Sequence, residues 1–113
     1  MAKKGKKIAL NKYSSLGEVE YHLNNNEEVT LFIDNIRKYV TVGFDASSIR
    51  IADFGHSGEF GSTLLNSNLP SEYYYGKTLY FVTYEQFAEL FNPFIISGRL
   101  GYCTDNIAPY SIY

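Results

Sequence analysis

Residues 28–52 read Glu28-Val29-Thr30-Leu31-Phe32-Ile33-Asp34-Asn35-Ile36-Arg37-Lys38-Tyr39-Val40-Thr41-Val42-Gly43-Phe44-Asp45-Ala46-Ser47-Ser48-Ile49-Arg50-Ile51-Ala52. Val29, Leu31 and Ile33 alternate with Thr30 and Phe32, the period of two that a half-buried strand imposes. This predicts a strand over 28–34. Asp34-Asn35 supplies turn chemistry, and residues 39–44 return to β-branched and aromatic types. Asp45-Ala46-Ser47-Ser48 makes the next turn, and Ile49-Arg50-Ile51-Ala52 opens a third strand. Three consecutive strands with short turns favour an antiparallel meander.

Helical spacing appears on both sides of this meander. Ser15-Leu16-Gly17-Glu18 fits a capping box, and Leu16, Val19 and Leu23 recur at helical intervals. Asn24-Asn25-Asn26 ends that pattern, because Asn tolerates the left-handed conformation past a helix end. The expected helix covers 15–24, weakened at Gly17 by about 1 kcal/mol. Residues 55–71, with Gly55, Gly58 and Gly61 among Ser and Asn, read as one long loop closed by Pro70. A fourth strand follows over 77–83. Thr83-Tyr84-Glu85-Gln86 is a second capping box, leading a helix through Phe87, Ala88 and Phe91 that Asn92-Pro93 ends. The tail adds a further strand near 100–104. The expected fold is α+β: a mainly antiparallel sheet of four to five strands with two short helices, in the order α-β-β-β-loop-β-α.

At 113 residues the chain is one domain, burying about two-thirds of its unfolded surface. Its 45% hydrophobic and 17% aromatic content excludes a disordered chain. The single cysteine, Cys103, excludes an intramolecular disulfide and a CxxC zinc site. No apolar run reaches membrane-spanning length. The opening Met1-Ala2-Lys3-Lys4-Gly5-Lys6-Lys7 is charged without an apolar stretch, so no secretory leader is expected there, and the expected compartment is cytoplasmic.

The net charge of −2 conceals a division. Residues 1–12 hold five lysines and no acid, whereas residues 13–113 hold five bases against 12 acids, a net of −7. We therefore expect a flexible basic arm over 1–12 and a single α+β domain over 13–113. Lys3, Lys4, Lys6 and Lys7 are candidates for nucleic-acid contact, since lysines near phosphates release counterions; the alternative is a solubilising arm. Glu27, Glu28, Asp34 and Asp45 are candidates for steering a basic partner. Tyr73-Tyr74-Tyr75 cannot all enter one core, so at least one ring is exposed. Exposed tyrosines suit partner anchoring, having a rigid apolar body and a polar tip.

Catalytic signatures are sparse. Gly55-His56-Ser57-Gly58-Glu59-Phe60-Gly61-Ser62-Thr63 lacks the lysine that a Walker loop places before its Ser or Thr. Cys103 with His56 and Asp105 or Asp53 is the one conceivable nucleophile set, and His22 reads as structural. Asp34, Asp45, Asp53 and Glu59 fall at strand ends or turns, and a metal-dependent hydrolase would need them to converge. No cofactor or metal site is expected, and the protein reads as non-enzymatic. The oligomeric state is monomer or homodimer.

Three features, the Asn24-Asn25-Asn26-Glu27-Glu28 run, Tyr73-Tyr74-Tyr75 and the Lys3–Lys7 arm, together with small size and an acidic body, resemble the anti-CRISPR inhibitors of phages and mobile elements directed at Cas9-type nucleases of Firmicutes. The resemblance covers the chain as composition and size, without a shared motif. It implies a stoichiometric protein–protein inhibitor of a host defence nuclease, acting in the bacterial cell on the nuclease with its guide RNA. The alternatives are a nucleic-acid accessory protein working through the lysine arm and a small metal-dependent hydrolase.

Overall fold

A computed structural model describes residues 16–45, 48–55, 58–105 and 107–111. The basic arm with Lys3, Lys4, Lys6 and Lys7, and also Ser15 and His56, lie outside the described residues. Within them the order is α1 (Gly17–Asn24), β1 (Val29–Ile33), β2 (Asn35–Asp45), β3 (Ser48–Asp53), α2 (Glu59–Asn66), β4 (Ser71–Tyr74), β5 (Lys77–Val82), α3 (Tyr84–Ile96), β6 (Leu100–Thr104) and β7 (Ile107–Ser111). The strands form a single sheet in the order β4-β5-β3-β2-β1-β6-β7, antiparallel at every junction. The α+β class and the β1–β2–β3 meander are as expected; the sheet is wider, and there are three described helices.

The alternation in β1 decides which face is covered. Val29, Leu31 and Ile33 are fully buried, and the register sets them beside Val42 and Val40 of β2 and beside Tyr102 and Leu100 of β6. Ile49, Ile51, Tyr80 and Val82 continue the same face across β3 and β5. Val19 and Leu23 of α1, Phe60 and Leu64 of α2, and Phe87, Ala88, Phe91 and Phe94 of α3 close over it to form one core. The opposite face carries Thr30, Phe32, Thr41, Arg50, Ala52, Lys77 and Leu79; no described helix packs on it, although Phe32 and Ala52 are buried there.

Four expectations are corrected. The segment 55–71, expected as a loop, contains α2, and β4 begins at its last residue. Helix α2 begins at Gly58, at φ +64 and without a side-chain cap, so its formation rests on burying Phe60 and Leu64 rather than on propensity. Helix α3 runs through Asn92-Pro93 to Ile96. Proline costs one backbone bond there, but the extra turn buries Phe94, whose ring lies 5.0 Å from Phe60 at 80°. β7 was not foreseen; Pro109 sits in it because an edge strand tolerates a missing N–H. At α1 the cap residue is Leu16 with no side-chain cap bond, and Glu18 instead accepts from the Tyr102 hydroxyl at 3.1 Å.

Two local readings hold in detail. Thr83 and Gln86 form the reciprocal capping box: the Gln86 amide donates to Thr83 Oγ1 at 3.1 Å, and the Thr83 amide donates to Gln86 Oε1 at 2.9 Å. Asn26 takes the left-handed conformation, at φ +62, that lets the chain leave α1.

Candidate interaction surface

The β4–β5 hairpin turns on two residues, Tyr75 and Gly76, both at positive φ (+48° and +82°). Positive φ at both central positions is the two-residue turn that matches strand twist, and Asn-Gly fills it most readily. Tyrosine is a costly occupant, because its Cβ crowds the backbone in the left-handed region. Strained residues of this kind concentrate at functional surfaces. Replacing Tyr75→Asn should therefore stabilise the fold by roughly 0.5–1 kcal/mol, a rise of a few degrees in Tm on thermal unfolding. An unchanged or lowered Tm would show that the tyrosine ring compensates for the backbone strain.

All three consecutive tyrosines are exposed: Tyr73 at 76%, Tyr74 at 53% and Tyr75 at 85%. The Tyr74 and Tyr75 rings meet edge to face, with centroids 4.4 Å apart. Tyr74 lies on the side of the sheet that no described helix packs on, where it walls a cleft of about 350 Å³ with Phe54, Leu79, Lys77, Arg50 and Glu28. The floor is small, made of Thr41 and Ala52. Lys77 Nζ stands 5.3 Å above the Phe54 ring. Gly43 keeps this surface low: a Cβ there would fall 2.7 Å from Arg50 Nη2, so its absence lets the guanidinium lie across β2.

The four acids expected to steer a partner occupy three separate places. Glu28 and Asp45 flank Arg50, at 3.2 and 3.6 Å, beside the tyrosine cleft. Glu27 meets His22 Nδ1 at 2.9 Å beyond the end of α1. Asp34 holds Arg99 at 2.7 Å, and Arg99 also reaches Glu59 at 2.8 Å at the start of α2. They do not form one acidic flank, and each has a positive or histidine partner within the fold.

The Asp34–Arg99–Glu59 contact ties the β1–β2 turn to α2. The Arg99 guanidinium, hydrogen-bonded to Asp34, holds its carboxyl below the usual carboxylate range. A lowered carboxylate pKa adds stability that is present above the unfolded value, about pH 4, and is lost as pH falls through the folded value. Wild-type protein should therefore lose stability on acidification below about pH 4 more steeply than Arg99→Met, followed by urea midpoints across the acid range. Equal acid limbs would remove the contact from the stability account.

The carboxylates of the hydrolase reading do not gather at one point, and the Cys103 set depends on His56, which lies outside the described residues. Asp34 and Glu59 converge, but on a guanidinium. Asp45 lies with Arg50, and Asp53 Oδ1 accepts the Gly55 amide at 2.9 Å. Among the described residues no three His, Cys, Asp or Glu side chains gather as a metal site. Burial pushes the Cys103 thiol up, the hydrogen bond with Thr30 opposes this, and the charge of Asp105 adds to it. A raised thiol is a weak nucleophile at neutral pH. Among the described residues no helix is long and apolar enough to cross a membrane.

No family model matches this chain, and neither the curated proteins nor the solved structures contain a match to it.

Proposed function

We propose that the protein is a non-enzymatic binding protein that grips a partner protein with its tyrosine hairpin and the adjoining cleft lined by Phe54, Lys77 and Arg50. The observation that carries this reading is the hairpin tip, where three large aromatic side chains stand in solvent and one occupies a strained turn position. Hydration of such rings is relieved by a partner, and tyrosines at the centre of an interface carry much of its affinity. The −7 balance of residues 13–113 adds long-range attraction for a basic surface.

The partner we propose, from the anti-CRISPR resemblance, is a Cas9-type nuclease with its guide RNA in the bacterial cytoplasm, whose channels are positively charged. Titrating the protein into a fixed concentration of guide-loaded nuclease should reduce DNA cleavage linearly to a break at one equivalent. Inhibition that is complete well below one equivalent would indicate turnover, and unaffected cleavage would remove this nuclease as the target. Deleting residues 2–7 separates the second reading, nucleic-acid contact through Lys3, Lys4, Lys6 and Lys7, which the +5 balance of residues 1–12 favours. Under that reading the deletion abolishes binding and its salt dependence; under the first it leaves the one-equivalent break in place.

A further inference from the structure

Among the described residues β4 is the outermost strand on its side of the sheet, and all four of its residues are exposed. One contact sets the direction of its backbone groups. The Phe81 amide donates to the Pro70 carbonyl at 3.2 Å, in the register that pairs Ser71 with Tyr80 and Tyr74 with Lys77. Antiparallel partners alternate between pairs that exchange hydrogen bonds and pairs that do not. Pro70 and Phe81 are a bonding pair, so Glu72 bonds with Leu79 and Tyr74 with Lys77. Ser71 and Tyr73 therefore turn their N–H and C=O groups outward, to the free edge.

Edges of this kind are ready templates for another strand, and proteins usually guard them with Pro, lysine or a bulge. Here the outward backbone groups belong to Ser71 and Tyr73, with Glu72 between them. Glu72 has no ion-pair partner among the described residues. On the free side Glu72 occupies a non-bonding position, where an opposing side chain comes closest. A second copy of the chain is a poor occupant. The two-fold register that uses the outward groups of both Ser71 and Tyr73, each opposite the other, sets Glu72 directly against the copy's own Glu72, a destabilising like-charge pair; the register centred on Tyr73 avoids that pair but bonds through Tyr73 alone.

We infer that the β4 edge takes up an extended segment of the partner protein as an added strand, with a Lys or Arg of that segment opposite Glu72. Backbone bonds to Ser71 and Tyr73 would supply register, the basic residue would supply selectivity, and Tyr74 would cover the segment's flank. This rests on the protein-contact reading above and specifies its geometry.

The probe is the acetylated and amidated peptide Thr-Val-Lys-Val-Thr, titrated into ¹⁵N-labelled full-length protein. The amides of Ser71 and Tyr73 should shift, and at ten times Kd their hydrogen exchange should slow about tenfold. Tyr73→Pro removes the outward N–H while leaving the ladder to β5 intact, as prolines on edge strands do, and should abolish the shifts. Tyr73→Ala retains that N–H and should preserve them. Glu72→Lys, which keeps every backbone group, should weaken the lysine peptide and instead bind its glutamate counterpart. Shifts confined to the cleft around Phe54 and Lys77, binding that survives Tyr73→Pro, or no shift at millimolar peptide would each overturn strand addition. None of these outcomes touches the contact reading itself, which fails separately if a partner binds equally well without the Tyr74 and Tyr75 rings.

Discussion

The double variant Tyr74→Ala/Tyr75→Ala is expected to weaken partner binding by about 2–4 kcal/mol, roughly 30- to 1,000-fold in Kd. The effect is large because the two rings pack edge to face and present one continuous aromatic surface, and truncating both removes the centre of that surface. Binding of a partner desolvates the rings, whereas the free protein leaves them half or more exposed. Folding should be nearly indifferent to the change, because neither ring belongs to the core. Calorimetric titration for affinity and thermal unfolding for stability separate the two quantities. A variant that loses affinity only because it unfolds would place these rings in a structural role. A folded variant with unchanged affinity would remove the hairpin from the contact surface.

Phe91→Ala is expected to have the largest effect on stability. Phe91 is 1% exposed, and its ring centroid lies 5.1 Å from Phe60, 4.9 Å from Phe87 and 6.4 Å from Phe94. Truncation leaves a cavity at the junction of α2 and α3, and buried Phe→Ala changes cost about 3–5 kcal/mol. For a urea dependence near ~2 kcal/mol/M, the denaturation midpoint should fall by about 2 M. A domain of this size has about 5–15 kcal/mol in hand, so the variant would be folded only marginally. A shift below about 0.5 M would mean that α2 and α3 do not share this core. Helix α2 depends most on the cluster, since Phe60 and Leu64 are its only fully buried side chains.

Which elements were legible in the sequence follows from how each is stabilised. β1, β2 and β3 turn one face to the described helices, so Val29, Leu31, Ile33, Val40, Val42, Ile49 and Ile51 had to alternate, even though Phe32 and Ala52 on the other face are also buried. The start of α3 was legible because its capping box is local, confined to Thr83 and Gln86. β4 was not, because Ser71-Glu72-Tyr73-Tyr74 has no covered face; β5 and a tight turn make it a strand. α2 was hidden by Gly58, Gly61 and a short apolar pattern of two residues four apart, and its helical state is set by tertiary packing. The continuation of α3 past Pro93 similarly depends on Phe60, more than 30 residues earlier, receiving Phe94.

The candidate site divides in the same way. Three adjacent tyrosines announced exposure from strand geometry alone, and all three are exposed. The acids were legible as types but not as pairs. Asp34 and Arg99 are 65 positions apart and Glu28 and Arg50 are 22 apart, and no local pattern brings them together. The cleft beside Tyr74 was also invisible, because it is assembled from alternate residues of four strands and their flanks.

The most direct measurement is a paired capture from nuclease-treated bacterial lysate, using the tagged wild-type protein and Tyr74→Ala/Tyr75→Ala side by side. The account predicts one protein retained at near-equal stoichiometry by the wild type and lost by the folded variant. Equal retention by both would contradict it, as would recovery of nucleic acid alone from untreated lysate.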